Sequence, residues 1–146
     1  MGGGNFGGFK NTKGAEKDMP NYTKAKTPKE KFVNYSLDDS NPNSKGKAEA
    51  YEKALGFNKK NADLLIKQIH TNVTKGKIKP ISIKSSNYGT KYKYEIPIVG
   101  ANGKTKIVVA VYQVDKNTDI PRLITNYVKK KGSKWWNLKN MIKLKL

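Results

Sequence analysis

The chain has no cysteine, one histidine and one arginine, and its eleven Asp and Glu stand against thirty Lys and Arg in 146 residues. Without cysteine there is neither a disulfide framework nor a thiolate metal site. A lone histidine, His70, cannot build a zinc centre, which needs several His or Cys ligands. The acids are too scattered to read as the clustered carboxylates of a Mg²⁺-dependent nuclease. Asp38 and Asp39 are loop neighbours, Asp115 and Asp119 bracket a turn, and Glu49 and Glu52 lie beside lysines as solvated helix charges would. No apolar run approaches the ~20 residues of a membrane span. A Gly-x-Ser-x-Gly elbow and a Gly-x-x-x-x-Gly-Lys phosphate loop are both missing. No cofactor and no bound metal is therefore expected. The start, Met1 before three glycines, has no basic and apolar regions of a secretory signal and reads as a domain cut from a longer protein.

Lysine is what the chain has in abundance. A formal net charge of +19 opposes compaction through self-repulsion and attracts polyanions. Nucleic acid, an anionic membrane surface and an acidic protein are the partners such a balance fits. By composition the chain divides in three. Residues 1–30 are rich in Gly, Lys, Asn and Thr and read as a linker or mobile arm. Residues 31–128 alternate periodic segments with turns. Residues 129–146 form a basic tail with seven lysines, no acid, and Trp135 and Trp136, a pattern that suits nucleic acid, a membrane surface or ordinary packing.

Two helices are expected first. One runs from Lys47 to Leu55 with Ala48, Tyr51, Ala54 and Leu55 on its apolar face and Gly56 as its stop. The second follows Asn58 to about Thr74, with Ala62, Leu65, Ile66, Ile69 and Val73 at the 3.6-residue period. Strand signals follow: Ile78 to Ile83 around Pro80 as a short edge strand, an alternating Lys91–Ile98 run, and a hairpin over Gly100–Gly103. The β-branched run Ile107–Tyr112 and the segment Arg122–Tyr127 complete the set. The expected fold is α+β, with N-terminal helices packed on a roughly four-stranded antiparallel sheet.

This inventory suits chemistry done by cations, His, Tyr and Thr. RNA carries its own nucleophile, the 2′-OH, so its cleavage needs a proton acceptor, stabilisation of an anionic phosphorane and a proton for the leaving oxygen. His70 is the one side chain that ordinarily titrates near neutrality, though a half-exposed helix histidine is the plainer reading. Arg122 has the fork for bidentate phosphate contact, against a structural ion pair with Asp115 or Asp119. Thr125 and Tyr127 share a strand face at i and i+2, with Leu123 expected on that same face. Lys45 and Lys47 sit at a helix start that favours anions. Tyr88, Tyr92 and Tyr94 interleave with Lys91 and Lys93 as a stacking and phosphate-binding surface would, one face being core. Lys129, Lys130 and Lys131 extend the basic surface.

The order of motifs also resembles the small C-terminal toxin domains of bacterial polymorphic and contact-dependent inhibition systems. The residues that carry it are Tyr35-Ser36-Leu37, Asn41-Pro42, Lys45-Gly46-Lys47-Ala48, Leu55-Gly56-Phe57-Asn58, Tyr88-Gly89, the Gly100–Gly103 turn and Pro121-Arg122-Leu123-Ile124-Thr125. The resemblance implies a barnase-EndoU-colicin-RelE type ribonuclease fold, cleavage of RNA, often tRNA, without a metal, and neutralisation by a cognate immunity protein. It is compatible with roles for Lys47, Arg122 and Thr125, to which chemistry adds His70 and Tyr127. The combined expectation is an endoribonuclease toxin, delivered from a larger bacterial protein into a target-cell cytoplasm and held in check by an acidic immunity protein. The alternatives are a non-catalytic nucleic-acid-binding module and a membrane-active toxin that works through its tail.

Overall fold

A computed structural model describes residues 17–130, so the tail expectation from Lys131 on lies outside the described residues. Helix α1 spans Lys45–Leu55 and buries Ala48, Tyr51 and Leu55. It ends where Gly56 takes a left-handed φ of 73°, a conformation that favours a residue with no Cβ. Asn58 then caps a single 3-10 turn, accepting from the Lys60 N–H while the Asn61 side chain accepts from the Asn58 N–H. Helix α2, Ala62–Thr74, continues directly and buries Ala62, Leu65, Ile69 and Val73, four of the five positions its periodicity picks out. Ile66 is packed at the margin of that face.

The four strands are β1 (Ser82–Ser86), β2 (Gly89–Val99), β3 (Thr105–Asp115) and β4 (Arg122–Val128), all antiparallel in the order β1-β2-β3-β4. The class is thus α+β with a four-stranded antiparallel sheet. Tyr94, Ile96 and Ile98 of β2, Val108, Ala110 and Tyr112 of β3 and Leu123 of β4 project to the helix side, each at most 1% exposed. They form one core with Leu55, Leu65 and Ile69. Truncating such a residue to Ala costs about 2–5 kcal/mol. The β2–β3 hairpin turns at Gly100, which lies so close to the Leu55 carbonyl that a Cβ there would collide with it. That contact locks the end of α1 to the sheet.

Two features depart from the sequence expectation. Composition assigns everything before Lys31 to an arm, yet Met19 and Ala25 are core residues and Lys26 bridges to Arg122 in parallel at the β4 edge. The Lys26 N–H donates to the Pro121 carbonyl, and the Leu123 N–H donates to the Lys26 carbonyl. A polar segment can dock this way because the sheet edge offers backbone partners and few apolar anchors suffice. The second departure is a bulge. Val111 pairs with Thr125 but Tyr112 pairs with Leu123, so Ile124 is the extra residue. Leu123 therefore faces the core rather than sharing a face with Thr125 and Tyr127 as strict alternation requires.

Candidate active site

The bulge decides which side chains meet on the face of the sheet that the helices leave uncovered. Directly paired residues of an antiparallel sheet share a face. One line across the open face therefore runs Lys84, Lys91, Gln113, Arg122, and the next runs Ser82, Lys93, Val111, Thr125. A third joins Glu95, Val109 and Tyr127. Without the extra residue Arg122 would turn toward the core side; with it, Arg122 joins Thr125 and Tyr127. Six of the sequence-derived candidates thus come to one surface: Lys91, Lys93, Arg122, Thr125 and Tyr127 by register, and Lys47 by reach.

Lys47 stands in the first turn of α1, beside edge strand β4. Its Nζ donates to Thr125 Oγ1 at 3.0 Å and lies 5.7 Å from the centre of the Tyr127 ring. Among the described residues no carboxylate pairs with it. Partial burial disfavours the charged form and lowers the Lys47 pKa from its ordinary value. Two cavities meet at this side chain. One, of about 600 Å³, is bounded by Gly46, Lys93, Glu95, Tyr127 and Lys129; the other, of about 270 Å³, by Lys31, Tyr35, Thr125 and Asn126.

The remaining charges of the open face divide into paired and available. Arg122 holds Asp115 with both prongs, Nε to Oδ2 at 2.6 Å and Nη2 to Oδ1 at 3.0 Å, and Gln113 Nε2 donates to the same carboxylate at 2.6 Å. These donors, Arg122 first, lower the Asp115 pKa to about 2. Of the two sequence readings of Arg122, the structure shows the ion pair, made to Asp115 on the open face of the sheet. Lys129 pairs with Glu95 at 3.0 Å. Lys84, Lys91 and Lys93 make no ion pair among the described residues.

Other candidates are placed elsewhere. His70 is on α2, on the helix side of the sheet. Its Nδ1 is 2.9 Å from Thr27 Oγ1, which is 2.6 Å from the hydroxyl of the buried Tyr112. This network ties the N-terminal segment to the core, and the structure does not bring His70 to Lys47 and Thr125. Tyr92, only 8% exposed, faces the core and has no free ring face to offer a base, which corrects its assignment to an RNA surface. Tyr94 is buried in the same way, whereas Tyr88 is exposed. Lys45, Lys129 and Lys130 are exposed. Sequence reasoning missed Lys84, Lys31, Tyr35 and Asn126. Of these, only Lys84 had a usable signal, its place opposite Lys91 across a short turn.

Among the described residues no three His, Asp or Glu side chains converge as a protein-bound metal ion requires. No described helix is long and apolar enough to cross a membrane.

A family model described as a domain of unknown function, DUF6883, matches residues 18–130. The chain belongs to that family. The match begins next to Met19, in agreement with the packing of the N-terminal segment. No curated protein matches this DUF6883 chain. In three dimensions it is similar to a chain of a contact-dependent growth inhibition toxin–immunity protein complex from Klebsiella pneumoniae 342. The TM-score is 0.55, with 16% identity over 75% of this chain and 97% of that one. The likeness is one of fold.

Proposed function

We propose that this DUF6883 domain is a metal-independent endoribonuclease toxin, with tRNA as its foremost candidate substrate. The observation that carries the reading is the convergence of Lys47, Thr125 and Tyr127 beside the cationic open face of the sheet. In this reading the RNA backbone lies along Lys84, Lys91 and Lys93. The neutral form of Lys47 takes the proton of the 2′-OH as that oxygen attacks the adjacent phosphorus. Lys93 and Arg122 stabilise the phosphorane, and Thr125 orients the phosphate. As the P–O5′ bond breaks, the leaving oxygen takes the Tyr127 hydroxyl proton. Proton return from Lys47 to Tyr127 then resets the pair. The products are a 2′,3′-cyclic phosphate and a 5′-hydroxyl.

The fold shared with a chain of a toxin–immunity complex supports delivery from a larger bacterial protein into a target-cell cytoplasm, and capture there by an immunity protein. The charge of +19 favours the toxin side of such a pair and an acidic immunity partner, steered electrostatically to the lysine face. Incubation of the protein with total RNA in EDTA tests the reading. Cleavage of tRNA, blocked by an immunity protein encoded beside it, is the expected result. Binding of RNA with no cleavage over hours would instead identify a nucleic-acid-binding module.

A further inference from the structure

We propose that the 270 Å³ cavity beside Lys47 is a subsite for one nucleobase, and that it selects the carbonyl-bearing edges of guanine or uracil over adenine or cytosine. This specificity rests on the ribonuclease reading above and adds the substrate's sequence to it. The cavity lies between the segment Phe32–Ser36, the loop before α1, and β4. At ~30 Å³ per water it has room for about nine waters, enough for one planar heterocycle.

Its lining has the two properties a base site needs. The first is a stacking surface. Tyr35 is 52% exposed, and Lys31 Nζ lies 5.5 Å from its ring centre. An exposed aromatic ring with an adjacent cation can hold a base by stacking and charge. The second is a buried polar group with unused capacity. Asn126 is 1% exposed, and its Oδ1 accepts from the Tyr51 hydroxyl at 2.7 Å. That bond fixes the amide, and among the described residues its Nδ2 has no acceptor. Buried donors are normally paired, and an acceptor supplied by a ligand would satisfy them.

The chemistry of the lining sets the preference. Ser36 Oγ donates to the Lys31 carbonyl and Ser44 Oγ to the Asp38 carbonyl, both at 3.2 Å, so these hydroxyl protons are already used. Of the groups at the Tyr35 end of the cavity, Asn126 Nδ2 and Lys31 Nζ can only donate, and neither has a hydrogen-bond acceptor among the described residues. Guanine and uracil present a carbonyl where adenine and cytosine present an amino group, and an amino group turned to Asn126 Nδ2 and Lys31 Nζ would set donor against donor. Lys47 and Thr125 close the same cavity, so a base seated in it sits next to the reacting ribose.

Short oligonucleotides with 2′-O-methyl sugars, differing at a single base, test this by fluorescence anisotropy with the intact protein. They cannot be cleaved, so the measurement is independent of catalysis. The guanine and uracil oligomers should bind roughly five- to tenfold more tightly than the adenine and cytosine ones. Tyr35→Ala, at an exposed position, should weaken binding of all four. Asn126→Asp keeps the acceptor for Tyr51 but replaces the donors and should abolish or reverse the preference. Should that variant not fold, Lys31→Ala must reduce the preference instead. Equal binding of the four bases, or a preference that survives these changes, overturns the subsite. Cleavage of RNA in EDTA without base preference would sink the subsite and leave the ribonuclease reading standing. Selective binding with no cleavage of ordinary RNA would do the reverse.

Discussion

Replacing Lys47 with Met separates catalysis from stability. The change keeps the length and most of the stem but removes the ammonium, its bond to Thr125 and its approach to Tyr127. A hydrogen bond donated by an ammonium contributes about 1.5–3 kcal/mol and a cation–π contact about 0.5–1 kcal/mol. Against these stands the partial desolvation of a charge that has no carboxylate partner among the described residues. Because folding lowers the Lys47 pKa, the unfolded chain binds this proton more tightly. The charge therefore opposes folding at neutral pH, and the penalty fades only as pH rises toward the ordinary lysine value. The opposing contributions leave Lys47→Met within about 2 kcal/mol of the parent in stability. A lost general base costs about 10²–10⁴ in rate, which at 1.36 kcal/mol per decade is about 3–5 kcal/mol of transition-state stabilisation. Cleavage of a fluorogenic RNA in EDTA, read beside urea unfolding, checks both halves. Cleavage within threefold of the parent would refute the base assignment, and a loss of stability above about 2 kcal/mol would make Lys47 a structural residue.

Further predictions concern single contacts. Wild-type cleavage should rise with pH up to a Lys47 pKa below 10.5, since only the neutral amine accepts a proton; a rate that falls over that range contradicts the assignment. Asp115→Asn should lower the melting temperature at pH 6. Because the folded Asp115 pKa is depressed to about 2, the difference from wild type should vanish as pH falls from about 4 to 2. Tyr51→Phe leaves the Asn126 carbonyl buried without its donor and should cost about 1–3 kcal/mol in urea unfolding, with no change in fold by circular dichroism. Binding of an uncleavable RNA should fall steeply with salt. Alanine at Lys84, Lys91 or Lys93 should reduce the log–log slope by ~0.7 each, while His70→Gln should leave both slope and cleavage unchanged.

The helices and strands were largely legible because their apolar periods are uninterrupted and their ends carry chemical stops. Gly56 closes α1, Asn58 opens the path into α2, and Gly100–Gly103 turns the long hairpin. The surroundings of the candidate site were less legible. Nothing in Leu123-Ile124-Thr125 announces a bulge, since both apolar residues fit either face, yet that one extra residue re-aims Arg122. The docking of residues 19–27 depends on backbone bonding to the β4 edge, which polar composition does not disclose. Lys47 and Thr125 are far apart in sequence, and their contact exists only because α1 packs beside β4. Lysine abundance gives no sign of which lysines share a surface; strand register brings Lys84, Lys91 and Lys93 to the open face.

The termini left on cut RNA test the central claim most directly. RNA treated with the protein in EDTA should yield fragments ending in 2′,3′-cyclic phosphate by mass spectrometry, and a single 2′-deoxy substitution at the cut nucleotide should abolish that cut. Fragments ending in 3′-hydroxyl, or cleavage that persists through the deoxy substitution, would contradict attack by the RNA's own hydroxyl.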